Sequence, residues 1–325
     1  MIRTLTTLAF LLALTIGAAA ECGPTNPNCV VPTAPPGTSD SRAASTAFVM
    51  KNAGGRTRLT APLDLYADYV NGSDANPCIT GAPCKTAQHT YNMMVSSYDT
   101  AGQNVGIHLL NNDPTCFNVV TAWTGGGNVV ITGPGSSSTQ PTVGFVGCTG
   151  NGVTIQGNLP GLLGLFNLVL TSSSGGVSLL HQGIGDVVLS NVVFGAAAAA
   201  HMEAIGTGAK ITCTQPAIIT MTAQATVWAA GIINGNFVCQ SATFVFLGSQ
   251  AYTFVAYAGA LGSVVVNGSV FCSNYSLTTC NPVTAVTGQK FLATTNGLID
   301  TETGNLNFIP GTPNSGQFIN GGQYN

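Results

Sequence analysis

The sequence predicts an all-β fold, a right-handed parallel β-helix whose coils stack as a solenoid behind an N-terminal capping helix. Three observations carry that expectation. Charge is scarce: Asp, Glu, Lys and Arg make up 6% of the chain, and between Pro114 and Ile299 only Asp186, Glu203, Lys210 and Lys290 are formally charged. A soluble helical protein dresses its outer faces with such residues, whereas Thr, Ser and Asn suit the outside of stacked strands. Short runs of Val, Ile, Leu and Phe recur along the chain, separated by Gly, Asn and Ser clusters that supply corners needing positive φ. Related runs also return at intervals of roughly twenty to fifty residues, as in a solenoid. Asn191-Val192-Val193-Phe194-Gly195 is echoed by Asn236-Phe237-Val238-Cys239 and by Asn267-Gly268-Ser269-Val270-Phe271. The competing fold is a β-sandwich, because Asn234-Gly235-Asn236 reads as a hairpin turn.

Residues 1–20 read as a secretory signal peptide. Arg3 supplies the charge, Leu8 to Gly17 the apolar stretch, and Ala18-Ala19-Ala20 a small-residue site with cleavage after Ala20. The alternative, a membrane anchor, calls for a longer apolar run. Export places the mature chain outside the cytoplasm, secreted, periplasmic or on the cell surface, and not spanning a membrane. All 10 cysteines lie beyond the cut. An even number in an oxidising compartment predicts disulfides. The pairs expected are Cys22 with Cys29, Cys78 with Cys84, Cys116 with Cys148, Cys213 with Cys239 and Cys272 with Cys280. None has the two-residue spacing of a zinc or thioredoxin-like centre, so neither a metal site nor a cofactor is expected.

Residues 21–60 are rich in Pro, Thr and Ser and read as a linker. Residues 61–103 read as a first strand and a capping helix. Leu65 to Val70 alternates like a strand, Asn71-Gly72-Ser73-Asp74 is a turn, and Ala87, Tyr91, Met94, Val95 and Tyr98 share one helical face. A helix there covers the open end of a stack, which otherwise exposes unpaired backbone. Residues 104–325 read as coils and an exit segment. The strands expected are Val105–Leu110, Asn128–Thr132, Val153–Gln156, Leu165–Leu170, Val177–Leu180, Val187–Phe194, Lys210–Thr214, Phe237–Phe246, Tyr252–Tyr257, Ser263–Phe271 and Phe291–Asp300.

Val31 to Val49, a Pro- and Gly-bearing stretch leading into a small-residue run that ends in Thr46-Ala47-Phe48-Val49, resembles a linker of bacteriophage tail-fibre proteins. The order of strand, Asn71-Gly72-Ser73-Asp74 turn, Pro83-Cys84-Lys85-Thr86 and amphipathic helix resembles the opening of pectate-lyase-like β-helix proteins. The tail, Asn296 to Asp300 through Asn307-Phe308-Ile309-Pro310-Gly311-Thr312 to Tyr324, is similar to the endings of phage-like β-helix proteins in bacterial genomes. Together these resemblances imply a tail-fibre- or tail-spike-like protein in a secreted bacterial version, recognising a surface, with a homotrimer as the implied oligomer.

Enzymes of that architecture cleave glycans, and each type needs its own set of side chains. Lyases of the type require a basic residue and acidic calcium ligands, yet no arginine follows Arg58 and acids are nearly absent from the coils. Hydrolases require two carboxyl groups about 5–10 Å apart, and no Asp cluster is present. One constellation remains as a catalytic candidate: Asp186, Glu203, His181 and His201, the two histidines about one coil apart. The aromatics Trp228, Phe244, Phe246, Tyr252, Phe254 and Tyr257 are concentrated in one region, and Trp228, Tyr252 and Tyr257 are the expected ligand-binding residues, because such rings stack on sugars. The net charge of −3 and the absence of a basic cluster exclude nucleic acid as a partner. The expected function is a non-catalytic, structural or adhesive protein that binds a cell-surface polysaccharide or envelope component. The alternatives are a tail-spike-type depolymerase and a phage tail-fibre component.

Overall fold

The computed structural model describes residues 55–135, 139–173, 175–274 and 279–325. Residues 1–20, read as a signal peptide, and 31–49, read as tail-fibre-like, lie outside them, as do Cys22 and Cys29. The chain divides after Arg56, and the architecture that follows is that of Thr57–Asn325.

Two large parallel sheets, of 14 and 8 strands, make up the fold. The first sheet takes one strand from each successive coil: Leu63–Ala67, Val105–Leu109, Val129–Thr132, Leu163–Leu170, Gly185–Phe194, Ala209–Cys213, Asn236–Val238, Ser263–Val265, Leu298–Asp300 and Gln323–Tyr324. A branch of it holds Gly144–Phe145, Ile218–Met221, Thr243–Phe246 and Val270–Cys272. The second sheet stacks Phe117–Val119, Val153–Ile155, Leu179–His181, Ala200–Ile205, Val227–Ile232, Gln250–Gly259, Val286–Thr294 and Gln317–Ile319. From Gly185 on, the chain visits first sheet, branch and second sheet in turn, then returns beside its own previous strand. Residues paired across neighbouring coils there stand 24 to 36 positions apart. This is the strand arrangement of a parallel β-helix. The sandwich fails because every pairing between these strands is parallel.

Stacking builds the core from rows of like residues. Val105, Val129, Leu163, Val187, Ile211, Phe237, Val264 and Ile299 follow one another in register. All are fully buried. In the second sheet the inward row runs Phe117, Val153, Leu179, Met202, Ala229, Ala256 and Phe291. It narrows to alanine where Trp228 fills the interior. One outward row of the first sheet is polar: Ser263 Oγ donates to Asn236 Oδ1 at 2.7 Å, and Lys210 Nζ to Asp186 Oδ2 at 3.3 Å.

Corners explain where the sequence misled. Ile233 and Asn234 both have positive φ, as do Ala260 and Leu261 one coil on, and Thr295 and Asn296 in the coil after. Asn234-Gly235-Asn236 is therefore a corner between two parallel strands and not a hairpin. Phe237–Phe246, Ser263–Phe271 and Phe291–Asp300 each divide into two strands, broken at Ser241, at Gly268 and at Thr295-Asn296, all with positive φ. Apolar residues such as Cys239 and Val266 stay buried at two of these corners and hide the break. Phe117–Val119, Gly144–Phe145, Ala200–Ile205, Ile218–Met221, Val227–Ile232 and Gln317–Ile319 were not expected as strands.

Helix α1 (Ala87–Ser97) closes the N-terminal end. Thr86 caps it by accepting from the His89 N–H, while Asp113 Oδ2 accepts from the Ala87 N–H at 2.8 Å. Ala87, Tyr91, Met94 and Val95 are buried beneath it. The Gln88 amide donates to the Asn118 carbonyl and accepts from the Asn118 N–H, so it pairs with the strand Phe117–Val119. Tyr91 Oη adds a bond to the Thr121 carbonyl at 2.8 Å. Tyr98 is not on the helical face. It starts the strand Tyr98–Asp99, which pairs with Thr57–Arg58, so the segment read as linker enters the β fold before residue 60. The first strand ends at Ala67 because Asp68 turns the chain. Burial alone would raise the Asp68 carboxyl, but bonds from the Asn71 N–H, the Asn111 and Asn71 side chains and the Val70 N–H hold it below its ordinary value.

Cys78–Cys84, Cys116–Cys148, Cys213–Cys239 and Cys272–Cys280 are disulfide-bonded. The fifth expected bridge, Cys22 to Cys29, falls outside the described residues, so the pairing scheme stands on these four. Four disulfides suit an oxidising, extracellular or periplasmic compartment. No helix among the described residues is long and apolar enough to cross a membrane.

Candidate functional site

Alternation sends every second side chain of a strand outward, and register lines those residues into rows. On the second sheet the central outward row runs Leu180, Glu203, Ala230, Tyr257 and Leu292. It is flanked by Val227, Phe254 and Gln289 on one side and by Ile205, Ile232, Gly259 and Thr294 on the other. The strip is largely apolar, with a carboxyl and a phenol in its centre. Tyr257 and Phe254 are half-buried, and their rings stack with centroids 5.9 Å apart and planes 27° apart. Ala230 floors the gap between Tyr257 and Glu203, which are separated by two strand steps, about 10 Å. Glu203 has no hydrogen bond or ion pair with the described residues. Burial raises its carboxyl above the usual range.

An irregularity orients the aromatic pair. Between Ala251 and Phe254 the register against Val286–Thr294 shifts. Gly288 lies opposite with φ +110°, and a Cβ there would sit 1.8 Å from the Tyr252 carbonyl oxygen, so the strands close only on glycine. Alternation breaks at this point. Tyr252 ends up inside at 5% exposure, while Phe254 and Tyr257 stay outside.

No protein-family model, curated protein or solved structure matches the chain. The site is read from its geometry alone.

Of Trp228, Tyr252 and Tyr257, only Tyr257 lies on the outer face. Trp228 is fully buried, its ring packed edge-on against Phe244 at 4.7 Å and Phe237 at 5.8 Å. Phe244 and Phe246 are core residues as well. Tyr252 is corrected likewise: its hydroxyl donates to Gln250 Oε1 and lies 3.3 Å from His201 Nε2, inside the fold. The four catalytic candidates do not assemble. Asp186 is on the outside of the first sheet, beside Lys210. His181 and His201 are fully buried and do not stack, since His181 stands beside Ala204 in register. His181 Nε2 bonds the Gly185 carbonyl at 2.8 Å and His201 Nε2 the Ala223 carbonyl at 3.0 Å. His201 Nδ1 has no partner among the described residues, and burial holds both rings below the usual imidazole pKa, His201 at about 4. Cys78, Cys84 and His89 cluster closely enough to suggest a metal, but the two sulfurs are joined to each other. Sequence reading did not connect Glu203 with Tyr257. The signal was available, because Glu203, Ala230 and Tyr257 follow at equal intervals of one coil.

Proposed function

We propose that this chain is an exported, non-catalytic β-helix protein of pectate-lyase-like, tail-spike-like type that binds a cell-surface glycan along the outer strip of its second sheet. One observation supports this most: Glu203 and the Phe254–Tyr257 pair lie in adjoining outward positions across the small residue Ala230. An aromatic face receives the C–H face of a sugar ring, joining apolar contact to a polar handle. A half-buried carboxylate without a protein partner accepts from sugar hydroxyls, as a charge-assisted hydrogen bond. Glycoside hydrolysis needs a second carboxyl group about 5–10 Å away. Between Pro114 and Ile299 the one other acid is Asp186, which belongs to the other sheet. The strip is therefore read as a binder. Phe254 and Tyr257 brace each other and hold the platform, and Glu203 sets the orientation of the bound ring.

A glycan array with the wild-type chain identifies the ligand, and titration calorimetry with Tyr257→Ala and Glu203→Gln tests the site. Each variant is expected to lose about tenfold in affinity, ~1.4 kcal/mol, with no new reducing ends released by the wild type. Unchanged affinity in both variants, or turnover of the bound glycan, would contradict the reading. Light scattering tests the implied homotrimer.

A further inference from the structure

A second site lies beside the strand Val286–Thr294 among the last coils. Residues 282–287 and 307–314 line an open cleft of about 800 Å³. Its walls include Phe271, Val286 and Phe308, and Phe271 meets Phe308 edge-on at 5.4 Å. Lys290 and Asn307 bring polar groups to it.

Lys290 is the anomaly. Register brackets it between Gln289 and Phe291, which pair with Phe254 and Ala256, so it takes the place held by Val255 one coil earlier and by Trp228 one coil before that. Both of those are fully buried core residues. Where they close the interior, the chain instead carries a lysine whose residue is 5% exposed and whose ammonium reaches the cleft. Its Nζ donates to Asn307 Oδ1 at 2.9 Å. Two of its three N–H groups remain for another acceptor. No carboxylate lies within ion-pairing distance among the described residues. Desolvation pulls its pKa below the ordinary lysine value. A desolvated charge is costly unless paired, and an anionic ligand in the cleft would supply the missing partner.

We propose that this cleft binds a small carboxylate with an apolar body, the carboxylate bridging Lys290 Nζ and the Asn307 side-chain N–H, the body lying against Phe271 and Phe308. A single cation matches a monoanion, whereas a phosphate dianion would leave one negative charge uncompensated. Binding favours the ammonium, so affinity falls as pH rises through the lysine's pKa.

The test is calorimetric titration of the full chain with benzoate and with benzamide, which shares the shape without the charge. Benzoate is expected to bind saturably and benzamide at least about tenfold more weakly. Asn307→Asp supplies an internal carboxylate to Lys290 and is expected to abolish benzoate binding while the thermal midpoint holds or rises. Lys290→Met is expected to lose binding as well. The proposal is overturned if benzoate does not bind, if benzamide binds equally, or if Asn307→Asp keeps wild-type affinity. Glucuronate binding in place of benzoate would overturn the apolar body.

Discussion

His201 has no exposed surface, one ring nitrogen bonded to a carbonyl, and the other without a partner among the described residues. Protonating it would place a charge in the core, which is why its pKa falls from 6.5 to about 4. The folded value lies below the unfolded one. The stability gained by keeping the ring neutral is therefore full above about pH 6.5 and drains away as pH falls through about 4. The linked change is on the order of 3 kcal/mol. His181 is shifted in the same direction, while Glu203, raised by burial, works in the opposite sense. Thermal melts between about pH 7 and about pH 4 should show a steep loss for the wild type and a shallower one for His201→Gln; equal slopes would contradict this. Residue identity alone did not reveal which histidines, tyrosines and tryptophans face inward. Composition marked Trp228, Tyr252 and Tyr257 as one class, and the register shift beside Gly288 separates Tyr252 from Tyr257.

Helix α1 was legible in the sequence because a polar face and an apolar face repeat at helical spacing, and because Thr86 is a good cap. Its task at the sheet edge was less so. Gln88 gives its amide to the backbone of Asn118 in the way a neighbouring strand would, and no sequence rule marks a glutamine for that work. Gln88→Ala removes both bonds. It should cost about 1 kcal/mol and speed hydrogen exchange at the Asn118 amide, which hydrogen–deuterium exchange reads directly; unchanged exchange there would show that the helix merely lies nearby. Strands were legible where an apolar run ended in glycine or asparagine. They were not where a corner kept its apolar side chains, as at Cys239, or where small residues formed the strand, as at Ala200–Ile205. Corner geometry is set by the coil above and below, which a local reading does not contain.

Across the Thr57–Asn325 unit, the near absence of charge, the returning asparagine and glycine clusters and the aliphatic rows have one cause. Each coil repeats the inward and outward choices of the one before, so a residue's role follows from its place in a column. The Cys213–Cys239 bridge obeys the same logic. It joins two residues that are neighbours only because coils stack in register, with Cα atoms 4.7 Å apart. The column also places Glu203, Ala230 and Tyr257 on one outward line, and the binding reading depends on that placement. Substituting cysteine at both Ala230 and Tyr257 tests it most directly. Parallel strands about 4.8 Å apart lie within disulfide reach. Thiol counting and peptide mass mapping of the oxidised double variant should find the two new cysteines joined to each other; two free thiols at those positions would contradict the register and, with it, the site.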